Sequence, residues 1–81
     1  MDNHTRARLD HVKECMDLIT AGNYFEVHDT WHDLKNFVDA SMRKFEAVYD
    51  LGYINTETFM AVREELRVHH MEKIRVIEGR A

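Results

Sequence analysis

Proline occurs nowhere in the 81 residues, and only three glycines, Gly22, Gly52 and Gly79, interrupt the chain. No residue therefore has the fixed φ and missing N–H that break a helix from within. An isolated glycine commonly lies just past a helix C-terminus, where its missing Cβ permits the left-handed conformation. Read that way, the glycines divide the chain into three helices, from about Thr5 to Thr20, Tyr24 to Asp50 and Thr56 to Ile77.

Hydrophobic spacing agrees with this division. Leu9, Val12, Met16 and Ile19 recur at three- and four-residue intervals, which places them on one stripe of the first helix. Val27, Trp31, Leu34, Val38, Met42, Phe45 and Tyr49 do the same on the second. Phe59, Val62, Leu66, Ile74 and Ile77 form the stripe of the third. Asn23 followed by Glu26 reads as a capping box, which predicts a turn of two or three residues and an antiparallel hairpin. Asn55 is the candidate cap of the third helix, with Ile54 and Phe59 spaced to form a hydrophobic staple. No alternation of the β type occurs, so the chain is expected to be one all-α domain over residues 1–81, a helical hairpin plus a third antiparallel helix.

Helices of roughly 16, 27 and 22 residues would measure about 24, 40 and 33 Å. The first is then too short to cover the second, and Phe25, Phe37, Val48 and Val68 lie outside the main stripes. Uncovered apolar surface is commonly buried against another chain, so a homo-oligomer, most simply a dimer, is expected to complete the fold. Trp31, Phe25, Phe37 and Val48 are the candidate partner-binding residues, because large apolar side chains dominate interface energies.

Six histidines and one cysteine supply the remaining chemistry. His28 and His32 are four apart on one helix face, as are His11 and Cys15, and both pairs suit a metal such as zinc or nickel. Counted from a turn at Ala21–Gly22, Cys15 stands level with His28 and His11 with His32. On helices sharing one core, however, the two pairs rotate in opposite senses, which works against a single four-ligand site. His70 falls on the apolar stripe of the third helix and His69 on its shoulder, with His4 expected nearby. That cluster could respond to metal or to pH, since imidazole changes charge near neutrality. Cys15 has Glu14 and Asp17 as neighbours, which oppose a thiolate.

The segment from His28 to His32, His-Asp-Thr-Trp-His, resembles the His-Glu-x-x-His helix of metalloproteases with Asp in place of Glu. That resemblance implies zinc ligation by His28 and His32, but the third ligand and substrate cleft that such enzymes need are not apparent in 81 residues. Tyr24-Phe25-Glu26-Val27-His28-Asp29 is similar over six residues to the helix start of a bacterial all-α family carrying Tyr-Phe-Glu-x-His-Glu.

Several function classes are disfavoured. Fifteen acidic residues against eleven Lys plus Arg argue against nucleic-acid binding. No apolar run approaches the roughly 20 residues that cross a bilayer. The polar first five residues lack the apolar segment of a secretory signal, and a lone cysteine fits a reducing, cytoplasmic setting. Seven acids against two lysines between Asp10 and Asp39 would favour a basic partner. Ile77-Glu78-Gly79-Arg80 matches a tetrapeptide cut by a clotting protease and carries no functional reading. The expectation is a small, non-enzymatic, regulatory protein-binding module, with metal or pH sensing through the paired histidines as the alternative.

Overall fold

A computed structural model, describing residues 1–22 and 27–80, contains three helices: α1 (Asn3–Ala21), α2 (Val27–Asp50) and α3 (Thr56–Glu78). Among the described residues there is no strand. The Cα envelope measures 41 × 17 × 16 Å, one helix long and a single bundle wide.

Each helix end has a local cause. Asp2 caps α1 by accepting from the Thr5 N–H at 2.7 Å, and the Thr5 hydroxyl donates to its other oxygen at 3.1 Å. The helix therefore starts two residues before the expected Thr5. Asn55 caps α3 as expected, its Oδ1 accepting from the Thr58 N–H at 2.7 Å. Past the end of α2, Tyr53 donates to the Val48 carbonyl and Gly52 to that of Tyr49, the paired bonds of a Schellman ending. Gly52 has φ +81°, which only glycine adopts freely. Gly22 and Gly79 differ from expectation: Gly22 is extended (φ −64°, ψ 162°) and Gly79 right-handed (φ −65°, ψ −13°). An α-helix can end through bonds to its last carbonyls without a left-handed residue. The Asn23–Glu26 capping box, the start of the second helix at Tyr24 and Phe25 lie outside the described residues.

All three stripes face inward. Leu9, Met16, Leu34, Val38, Phe45, Val62, Leu66 and Ile77 are buried in one cluster, with Val12, Ile19, Trp31, Met42, Phe59 and Ile74 packed against it. Tyr49 stacks on Phe59, ring centroids 4.6 Å apart. Ile77, in the protease-like tetrapeptide, is fully buried and belongs to the core.

Polar contacts join α1 to α3. Arg6 grips both carboxylate oxygens of Glu65, at 3.0 and 2.9 Å, and Lys13 reaches the same group at 3.6 Å. Later in both helices, Lys73 and His69 meet one oxygen of Asp17, at 2.8 and 2.7 Å. Glu64 and Arg67 pair along α3, whereas Glu72 and Arg75 make no ion pair among the described residues.

The helices as described span 19, 24 and 23 residues, α1 being three residues longer than the expected 16, and most of their stripes are covered. Phe37 packs on the core and Val48 is half-buried, while Val68 is exposed. Among the described residues the most exposed large apolar side chains were not foreseen: Tyr53 at 77%, Leu18 at 72% and Leu51 at 72%.

Candidate binding groove

Residues 4, 8, 11 and 15 are spaced by four, three and four, so they share one face of α1. Residues 37, 41, 44 and 48 share one face of α2 for the same reason. The two faces border a common groove. One stretch of about 430 Å³ is lined by His4, Arg8, His11, Val12 and Cys15 of α1 and by Phe37, Ser41, Lys44 and Phe45 of α2. A second stretch of about 510 Å³ shares His4, Arg8 and Phe45 with the first. It continues past Val48 to Leu51, Tyr53 and Ile54.

The floor is apolar, from Val12, Phe37, Phe45 and Val48, and the rim is basic. Arg8 and Lys44 make no ion pair or hydrogen bond among the described residues, and no carboxylate lines the first stretch. Asp2 borders the second stretch, and hydrogen bonds from the Thr5 backbone and hydroxyl hold its carboxyl below the usual range, so that end of the groove carries a negative charge. The first stretch thus combines an apolar floor with positive charge that no carboxylate of its lining neutralises.

Of the candidate partner-binding residues, Phe37 and Val48 line the groove and Trp31 does not. Trp31 packs on the core and meets His32 edge-on, centroids 5.4 Å apart. The signal that could have found Arg8 and Lys44 is their spacing: each is a cation on the same face as residues already singled out, Arg8 with His11 and Cys15, Lys44 with Phe37 and Val48.

The histidines are dispersed. His11 Nε2 lies 3.7 Å from Cys15 Sγ inside the groove. His28 and His32 form an exposed pair with ring centroids 4.3 Å apart. Cys15 shares its groove with Phe37, nine residues past the His28 with which it was expected to stand level. Side-chain packing along the whole interface sets that register, which a count from one presumed turn cannot supply. His69 joins Asp17 and Lys73, while His70 lies between α2 and α3 with Val38, Met42 and Arg67. His4 borders Phe45 and Tyr53 in the groove, whereas His69 meets α1 three turns later, at Asp17, so the expected His4–His69–His70 grouping does not form. Among the described residues, no three His, Cys, Asp or Glu side chains gather closely enough to hold a metal.

Burial is the main cause that holds the His70 imidazole below its ordinary value; Asp39 opposes the shift and Lys35 adds to it. For Glu65, burial pushes upward, but the Arg6 hydrogen bond and the charges of Lys13 and Arg6 outweigh it, leaving the carboxyl below the usual range. The Lys73 hydrogen bond lowers Asp17 against the upward push of burial, helped by His69.

Comparison with protein families, curated proteins and solved structures finds no match to this chain. The six-residue similarity over Tyr24 to Asp29 accordingly assigns no family. Among the described residues, no helix is long and apolar enough to cross a membrane.

Proposed function

We propose that this chain is a non-enzymatic regulatory module, its helices running up, down and up, that holds a helix of a partner protein in the groove between α1 and α2. The observation that carries this reading is the continuous apolar floor from Phe37 through Phe45 to Val48 along the α1–α2 groove. Two packed helices form a furrow in which a third can bury an apolar stripe, a common mode of peptide recognition. The direction of the helices is supported by contacts in which early α1 meets the middle of α3, at Arg6 and Glu65, and later α1 meets later α3, at Asp17 and Lys73.

Self-association was expected from unequal helix lengths and from apolar residues off the main stripes; α1 remains the shortest described helix, at 19 residues against 24 and 23. The α1–α2 groove is the surface this reading assigns to the partner. The test is an amide-shift titration of labelled protein with an amphipathic helical peptide. Shifts should concentrate at Arg8, His11, Phe37, Lys44 and Val48, and Phe37→Ala should weaken them severalfold. Shifts confined to α3, or none, would overturn the reading.

A second reading, metal sensing at His28 and His32, is favoured by the 4.3 Å approach of their rings on consecutive turns. Elemental analysis of untagged protein should then find zinc or nickel at stoichiometric level, lost in His28→Ala. Trace metal, and melting unchanged by a chelator, would remove it.

A further inference from the structure

The charge on the groove carries the reading further, to the chemistry of its occupant. The chain as a whole has a formal charge of −4, yet the first stretch of the groove is bordered by Arg8, Lys44, His4 and His11 and by no carboxylate among the described residues. The acids of the first two helices that make ion pairs do so with other cations: Asp10 with Arg6, Asp17 with Lys73 and Asp39 with Lys35. Local and overall charge thus have opposite sign, and it is the local charge that a docked chain meets.

Resting on the proposed helix-binding function, we infer that the α1–α2 groove selects an acidic amphipathic helix of a partner protein. The occupant lays an apolar stripe on Val12, Phe37 and Phe45 and directs flanking Glu or Asp side chains to Arg8 on one rim and Lys44 on the other. From His4 to Cys15 the first stretch follows α1 for about 17 Å, roughly three turns of a docked helix. An open furrow of that length suits a helix better than a small amphiphile, which pockets usually enclose over most of its surface. A second copy of this chain is a poorer fit. The exposed Met60, Val68 and Met71 of its α3 are interleaved with Arg63, Arg67 and Arg75 as well as Glu64 and Glu72, so that face has no net acidic character to offer.

The expected basic partner of the acidic first half is thereby replaced by its opposite at this surface. Complementary charge acts chiefly on association rate and on rejection of wrong partners. Discrimination should therefore exceed any gain in raw affinity, and it should shrink as salt screens the rim.

The experiment uses the full chain and two designed helical peptides of roughly 18 residues, long enough to span the groove with a turn to spare at each end. Both carry the same leucine stripe at three- and four-residue spacing, one flanked by Glu and the other by Lys. Fluorescence anisotropy at low salt should give the Glu peptide about tenfold or greater preference. The double variant Arg8→Glu, Lys44→Glu should invert it, and Arg8→Gln, Lys44→Gln should abolish it; circular dichroism checks that both variants remain folded. Equal binding of the two peptides to the wild type would overturn the acidic assignment while leaving the helix-binding reading in place. Binding of neither peptide by folded, monomeric protein would overturn both. A dimer whose groove amides are protected from exchange would overturn the partner in favour of a second copy.

Discussion

At the scale of single residues, the polar side chains that matter most are those whose partners the fold selects. Asn55 donates nothing to the core, yet it satisfies an N–H that the start of α3 would otherwise leave to water. Asn55→Ala should cost about 1 kcal/mol, read as a lower urea midpoint with unchanged slope. His70 gives a pH signature. Its folded pKa lies below the unfolded value near 6.5, so the unfolded chain takes up the proton first as pH falls. The stability due to the neutral ring is complete above about pH 6.5 and declines as pH drops from there toward the lower folded value. Thermal melts of His70→Gln should lose slope between pH 5 and 7 relative to the wild type; an unchanged slope would assign the dependence to other groups. The place of His70 on the apolar stripe was legible from its spacing after Leu66. That Asp39 and Lys35 both act on it from α2 was not, because nothing in the spacing of one helix reports charges on another.

At the scale of the elements, glycine position and apolar spacing carried different amounts of information. The spacing read all three inward faces correctly, since burial of a helical stripe requires the three-four repeat whatever the partner. Glycine was a weaker guide: only Gly52 has the left-handed conformation from which all three boundaries were inferred. A Cβ built on Gly52 meets nothing within 4 Å, so Gly52→Ala tests backbone conformation alone. It should destabilise by about 1 kcal/mol in urea denaturation. Packing is tested by Leu66→Ala on α3, a side chain only 1% exposed within the central cluster. That truncation should cost about 2–5 kcal/mol, because a cavity adds to the lost burial. The early start of α1 could have been read from Asp2, an N-cap residue type three positions before Thr5.

At the scale of the whole molecule, α1 and α3 are joined by a polar seam while α1 and α2 leave an apolar furrow on the other side. The seam makes an acid-dependent contribution. Asp17 and Glu65 both have folded values below their ordinary ones, so their contributions are present above the unfolded range near pH 4 and fall away as pH drops through the folded values. Both carboxyls are partly solvated, and solvent screening limits each pair to about 1 kcal/mol or less. Glu65→Gln combined with Asp17→Asn should therefore flatten the acid limb of a stability–pH curve below about pH 4.5. Of the groove, the sequence had offered Phe37 and Val48 as residues off the main stripes and His11 with Cys15 as neighbours on one face. It could not set them opposite one another, because the count from a presumed turn misplaced α1 against α2.

The residues alone determined that the chain is helical, that there are three helices, and which stripe of each is buried. These properties follow from the three-four repeat and from the absence of proline, both local to the chain. Tertiary structure decided the register of α1 against α2, the partners of Asp17 and Glu65, and the meeting of Arg8 with Lys44 across an apolar floor. Those depend on how side chains interlock between helices, where a shift of one turn changes every opposing pair while leaving each stripe intact.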